Sequence, residues 1–410
     1  MFKTALLSAI STALDYYDFV IYIMLASFIA PAFFADHSAF TQYISVLGIF
    51  AAGYIARPLG GLLFGHFADR YGRKKVFLSS ILLMAAATFS LGLLPDYAQI
   101  GRVCVLLLLT CRLAQGLAQG AEIPGAITFI AEHAPAHQRG QWVGLTLAGA
   151  GIGAALASLI STLLLHFFSI AEMRAFGWRI PFYLGGILAL VGFMIRKHST
   201  EPLLFLDLPV RCKTPFLNLM QHHKIAVLQG IGVIALPGSL ILFGLFLPNY
   251  LLLHYDYPLP HTYFIFTWSL IESSCLIILS GKLIDRFGLK RIFISLILLS
   301  AISIIPLFRI LTWQSDTALW LFLCTYEGLI GLMAGCYPPL LAHLFPTKIR
   351  MTGVAFSYNA AYLLLGFVPM LALAWIQFSH SAQSVSLIFI VMGLISFLCC
   401  ISVKTPHPPS

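Results

Sequence analysis

The sequence predicts an all-α membrane protein of twelve transmembrane helices, arranged as two pseudo-symmetric six-helix bundles. Composition is the first reason: of 410 residues, 60% are hydrophobic and only 10% charged, with a mean hydropathy of +0.92. A water-facing surface needs about 25% charged residues. The second is a run of twelve apolar stretches, each close to or above the ~20 residues that cross a hydrocarbon core. The third is a motif repeated about half a chain apart. Together they exclude a soluble enzyme, a disordered hub and a nucleic-acid binder.

In chain order, the stretches fall at roughly 5–33, 41–68, 76–94, 101–132, 139–168, 179–195, 222–253, 261–284, 291–310, 317–345, 350–378 and 382–402. The first contains acidic residues and lacks a small-residue cleavage site after a short core, so it is itself a span and not a cleaved leader. The longest polar interval, 197–221, reads as a cytoplasmic linker between a bundle over 1–196 and a bundle over 222–410.

The net charge of +9 has a topological explanation. Lys and Arg gather in cytoplasmic loops. With an inside N-terminus, 18 of the 24 basic residues lie in inner segments, 4 lie outside, and Arg57 and Arg112 fall within spans. Both termini are therefore expected on the cytoplasmic side of an inner membrane. The eight cysteines and 13 histidines show no ligand spacing, so no metal site is expected and the cysteines read as small packing residues.

In the second-to-third loop, Gly65, Asp69, Arg70, Gly72 and Lys74 recur as Gly281, Asp285, Arg286, Gly288 and Lys290, an offset of 216 residues. Two ordinary basic loops would explain the charges but not the matched glycines and aspartates. Two parallel six-helix repeats resemble the architecture of the major facilitator superfamily. Within it, the chain resembles the metabolite:proton symporters, the group of proline/betaine, α-ketoglutarate, citrate and shikimate permeases. The residues that carry this are Asp15-Tyr16-Tyr17-Asp18-Phe19, Arg57-Pro58-Leu59-Gly60, Arg112 with Gln115-Gly116, and Gly120-Ala121-Glu122. Glu132 before Arg139, Gly177-Trp178-Arg179, Leu247-Pro248-Asn249-Tyr250, Phe345-Pro346 with Arg350, and Tyr358-Asn359 complete it. Asp15 stands where the group usually has Glu, Ala121 and Pro124 where it tends to have Gly, and His343 in place of a Glu. Glu272 and Glu327 are not part of the pattern.

The resemblance implies secondary active transport by alternating access. It also implies that Asp69, Arg70, Arg73, Glu132 and Arg139, with Asp285, Arg286, Arg291 and Arg350 as their counterpart, form a cytoplasmic gate holding the halves together.

Charges in a bilayer core cost at least about 2.5–3.5 kcal/mol, so they pair or line a wet cavity. Asp15 and Asp18, three residues apart, share a helix face. Two such carboxylates do not both ionise readily, which suits a proton carrier; the alternative is a structural pair locked to Arg57 or Arg112. Arg112 is expected to alternate between an aspartate and substrate, coupling protonation to binding, with Glu122 as a helix-packing or inner-gate residue. Glu272 and Glu327 are expected at midplane depth in the second half, where Glu327 aligns with Gln115 in the repeat.

Tyr16, Tyr17, Arg57, Arg112, Gln115, Tyr250, Glu272, Glu327, Tyr358 and Asn359 are the candidate substrate-binding set. Five buried acids against two arginines favour a zwitterionic or amine-bearing substrate over a polycarboxylate, and tyrosine faces suit an ammonium group.

The sequence therefore reads as a proton-coupled importer of a small polar metabolite, a zwitterionic osmolyte or amino acid ahead of an organic acid. Its partners are that substrate and the bilayer; it is read as a monomer without a cofactor, the proton serving as coupling ion. An efflux or siderophore/polycarboxylate carrier of the same fold is the alternative, and a non-transporting membrane receptor a second. No nucleophile triad, metal cluster or phosphate-binding loop points to an enzyme.

Overall fold

The computed structural model describes residues 2–71, 73–197, 215–346 and 349–403, the side chains at 3, 4, 65–71, 73–77, 136, 195–197 and 215 excepted. The predicted linker therefore lies largely outside the described residues, and only its end, the short helix Pro215–His222, is seen. The described chain is helical throughout, without strands. Backbone polar groups find no water in a bilayer core, and a helix satisfies them within its own segment.

Twelve membrane-crossing segments are present among the described residues, each within a few residues of its predicted place. They are α1 (Phe2–Met24, continued as Ala26–Phe33), α2 (Ala39–Tyr71), α3 (Arg73–Leu93), α4 (Val103–Gln119 and Glu122–His133), α5 (Arg139–Phe167) and α6 (Ile180–Lys197). The second bundle comprises α7 (Lys224–Gly244 and Leu247–Tyr255), α8 (Leu259–Phe287), α9 (Leu289–Ile310), α10 (Asp316–Ala334 and Tyr337–His343), α11 (Arg350–Leu365 and Val368–Ser379) and α12 (Ser386–Ser402). Eleven are long and apolar enough to cross a membrane outright, and α3 contributes the shorter apolar run Leu78–Leu93.

Two pairs of breaks follow the repeat, α1 and α7 near their far ends and α4 and α10 at Gly120–Ala121 and Gly335–Cys336, whereas α11 is broken at Gly366–Phe367 and its counterpart α5 is continuous. Pro248 and Pro338 open the continuing pieces of α7 and α10, where a missing N–H costs nothing.

Lipid tails offer no hydrophobic drive between helices, so packing relies on small residues that bring backbones close. A Cβ built on Gly116 of α4 would stand 1.9 Å from the Gly53 carbonyl oxygen of α2. Between bundles, Gly140 of α5 and Gly281 of α8 each lie against the other's carbonyl, where a Cβ would stand 2.5 Å away. The outer surface is apolar, with Ile302 and Phe378 more than three-quarters exposed, as a lipid-facing belt requires.

Candidate functional site

A cavity lies between the bundles. The first bundle lines it with Tyr16, Ile123 and Gly151, the second with Glu327, Tyr337, Tyr358 and Tyr362 among apolar residues of α7 and α8. Glu327, 3% exposed, is the one carboxylate among these lining residues. The tyrosines are coupled: the Tyr337 and Tyr362 hydroxyls lie 3.3 Å apart, the Tyr358 and Tyr362 rings are 4.5 Å apart, and Tyr362 stacks on Tyr54 at 6.0 Å. The wall therefore presents aromatic faces, hydroxyls and one carboxylate.

Behind Tyr16 lies a polar layer built by α1, α2 and α4. Phe19 is sandwiched between two guanidinium groups, Arg57 at 4.3 Å and Arg112 at 4.4 Å from its ring centre. Tyr54 covers Arg57 at 4.1 Å and Tyr22 covers Arg112 at 4.4 Å. Arg112 donates to Gln115 Oε1 at 2.7 Å and to the Phe19 carbonyl at 3.3 Å; Arg57 donates to Gln119 Oε1. Gln115 and Gln119, one turn apart, donate in turn to the Asp18 and Asp15 carbonyls, and Gln115 also to Thr88.

This differs from the expected Arg112–aspartate pair. Neither arginine meets a carboxylate among the described residues: aromatic rings lie against both planar groups and each donates to a glutamine oxygen, while Arg57 Nε and Arg112 Nε and Nη2 have no hydrogen-bond partner among the described residues. Asp18 is fully buried, and neither carboxylate oxygen has a hydrogen-bond partner among the described residues. It points toward Gly185 of α6, Thr88 of α3 and Tyr17. Asp15 and Glu122 are its electrostatic neighbours, and Glu122 accepts from Ser80 of α3 at 3.3 Å.

Other predicted binding residues are placed elsewhere. Tyr17 donates to the Pro181 carbonyl at 2.9 Å and Tyr250 to the Ala382 carbonyl at 2.9 Å, so both hydroxyls are committed away from the cavity. Glu272 lies on the exposed face of α8, opposite the face formed by Leu270, Ser273 and Ile277 that lines the cavity. Arg57, Arg112 and Gln115 stand behind the cavity wall. Asn359 reaches across the bundles to donate to the Gly120 carbonyl at 2.7 Å.

The bundles are tied on both sides of the cavity. On the side of the chain termini, Asp285 of α8 accepts from the Gly140 and Gln141 amides of α5 at 2.9 Å each, capping that helix. Arg350 lies 3.4 Å from Glu132. Among the described residues the contacts are narrower than the expected arginine network: Arg286 lies against the Phe287 ring at 5.2 Å, Arg291 is exposed, and Arg139 Nε has no hydrogen-bond partner. The side chains of Asp69, Arg70 and Arg73 lie outside the described residues. On the opposite side, Asn249 of α7 donates to the Ile23 and Met24 carbonyls and accepts from the Ser27 amide, at 3.0–3.1 Å, around the break in α1. Tyr263 of α8 also donates to the Met24 carbonyl. Contacts between the bundles are thus present on both sides of the cavity.

A model of the family described as the Major Facilitator Superfamily matches residues 8–211 and 229–410. The chain belongs to the major facilitator superfamily. Among curated members it is 30% identical to the proline/betaine transporter of Salmonella typhimurium, over 98% of this chain and 83% of that protein. It is also 30% identical to the inner membrane metabolite transport protein YhjE of Escherichia coli, over 99% and 94% of the two chains. The solved structure of the proton:xylose symporter XylE bound to 6-bromo-6-deoxy-D-glucose shares the fold, with a TM-score of 0.79 at 17% identity, covering 98% of this chain and 94% of that one. This protein is thus a multi-pass membrane transporter of the superfamily and not an enzyme.

Tyr362, Gln119 and Asn249 were not singled out as site residues in the sequence. Two had a signal: Tyr362 follows Tyr358 by four, and Gln119 follows Gln115 by four, each one helical turn on. Asn249 lay in plain view within Leu247-Pro248-Asn249-Tyr250, but nothing in that motif says which backbone it meets.

Proposed function

We propose that this major facilitator protein imports a small zwitterion, proline- or betaine-like, by proton-coupled alternating access. The single observation that carries the reading is the cavity wall, four tyrosines and Glu327, with no cationic side chain lining it among the described residues. An ammonium group finds a carboxyl and π faces there, while an organic dianion would find no cationic side chain among the described lining residues. The carboxylate end of a zwitterion turns toward Tyr16, behind which the Arg57 guanidinium supplies positive potential. The names of the proline/betaine relatives support the same substrate class.

The buried Asp15, Asp18 and Glu122 group supports proton coupling, because three acids this close in a medium of low dielectric hold fewer than three charges. In this reading the face bearing the termini is cytoplasmic, on the strength of its basic residues, and the carrier works as a monomer with the proton as coupling ion.

The test is uptake of labelled proline and glycine betaine into proteoliposomes with an acid-outside gradient. Accumulation that collapses with a protonophore is expected. Glu327→Gln should raise the apparent KM at least about tenfold, the equivalent of ~1.4 kcal/mol. Dicarboxylate uptake in place of zwitterion uptake would refute the substrate class, and accumulation driven only by an outward-directed gradient would make the protein an exporter.

A further inference from the structure

The break in α4 has a cause in the sequence. An α-helix pairs each carbonyl with the amide four residues on, and for Gly120 that residue is Pro124, which has no N–H. Gly125 donates to the Ala121 carbonyl at 3.1 Å, so regular pairing resumes just past Gly120. The second half repeats the spacing as Gly335 and Pro339, at the break in α10. Both glycines seat the broken helix on its neighbour. A Cβ on Gly120 would stand 2.1 Å from the Arg57 carbonyl oxygen and 2.5 Å from the Gly61 amide of α2; one on Gly335 would stand 2.5 Å from the Ile277 carbonyl oxygen and 3.2 Å from the Gly281 amide of α8.

At Gly120 a donor arrives from the opposite bundle. Asn359 of α11, 1% exposed, donates through Nδ2 to the Gly120 carbonyl at 2.7 Å. Gly61 leaves room for it: a Cβ there would stand 3.2 Å from Asn359 Nδ2 and 3.1 Å from the Gly120 oxygen. The segment so held carries part of the site, since Gln119 binds Arg57 and the Asp15 carbonyl, and Ile123 lines the cavity. Asn359 stands nine residues from the start of α11 and Gly120 13 residues from the end of α4, which places the contact on the terminal side of mid-depth.

We propose that Asn359 is a positioning residue for closure on the terminal side, supplying from the second bundle the donor that Pro124 denies to the Gly120 carbonyl. With the bundles in contact Gly120 is buried, and a buried carbonyl left unpaired is unfavourable, so this arrangement depends on the Asn359 amide. Once the bundles part at that face, water can take the amide's place. Pro124 is what makes Asn359 necessary: with an amide at 124, α4 would satisfy its own carbonyl. The shared carbonyl involves neither substrate nor coupling ion; its part in opening rests on the alternating-access reading above.

In the full-length protein in nanodiscs, spin labels paired across the bundles at the terminal face give the ratio of long to short distances. Asn359→Ala should raise that ratio at least about fivefold, as one unpaired buried carbonyl requires. In a Pro124→Ala background the same substitution should raise it less than about twofold, because the restored amide pairs with the Gly120 carbonyl within α4. Asn359→Leu, which fills the site without a donor, should act as Asn359→Ala does. A merely structural contact would lower the thermal midpoint and leave the ratio where it was.

Shifts of equal size with and without Pro124 overturn the shared carbonyl. A ratio that moves in Asp285→Ala but in neither variant at 359 overturns the role in closure. Failure of the zwitterion or proton-coupling reading leaves these results standing, since no substrate or gradient is present. Distances that stay fixed in every variant, Asp285→Ala included, overturn alternating access and the closure role together.

Discussion

Asn249 commits its whole side-chain amide to the broken turn of α1. Two carbonyls and one amide that the break at Leu25 frees from helical pairing are satisfied by this one residue from the opposite bundle. Hydrogen bonds between membrane helices contribute ~0.6 kcal/mol each on average, so three are worth roughly 2 kcal/mol, enough to move a two-state equilibrium about thirtyfold. Asn249→Ala should therefore favour opening of the face away from the termini. A cysteine at Ser27 in that background should react faster with a membrane-impermeant maleimide than the same cysteine alone. Equal rates would mean that the contact holds no part of the closed state.

At the scale of the helix, close approach is decided by glycine. Alanine at Gly116 would drive a Cβ into the Gly53 carbonyl at 1.9 Å, whereas a Cβ at Gly48 of α2 would meet nothing within 4 Å. Overpacking costs typically about 1–3 kcal/mol, while Gly to Ala in an unobstructed helix is favourable by roughly 0.5–1 kcal/mol. Gly116→Ala should lower the thermal midpoint of the purified protein, and Gly48→Ala should leave it unchanged or raise it. The positions of the helices were legible because depth is written along the chain, in the count of apolar residues between polar ones. Rotation about each axis was not. A helix with lipid on one face and an aromatic cavity on the other is apolar all round, so the apolar count could not say that Glu272 faces outward. Tyr17 and Tyr250 failed as cavity residues for the same reason: their hydroxyls follow a rotation that the pattern does not encode. The stacking of the two arginines on Phe19 depends on contacts between α1, α2 and α4 that no spacing within one helix reveals.

The two bundles are joined at both ends of the molecule by unlike devices. At the terminal face the tie is ionic, the Asp285 carboxylate on two amides at the start of α5 with Glu132–Arg350 beside it. At the far face it is neutral, made by Asn249 and Tyr263 on the broken α1. The two devices sit at opposite ends of the cavity, separated by much of α8, which at 29 residues is ~43 Å long. Loosening one end therefore favours one open state and loosening the other favours its opposite. Hydrogen bonds to a charged acceptor contribute ~1.5–3 kcal/mol each, so Asp285→Ala should shift the population toward opening at the terminal face at least as far as Asn249→Ala shifts it the other way. Spin labels paired across the bundles at each face would report both: distances should lengthen at the terminal face in Asp285→Ala and at the far face in Asn249→Ala. Sites this far apart should add, so the double variant should fall between the singles, with neither open state dominant. Lengthening at the same face in both variants would show that the two ties do not oppose each other, and that closure at the two ends is a single cooperative event.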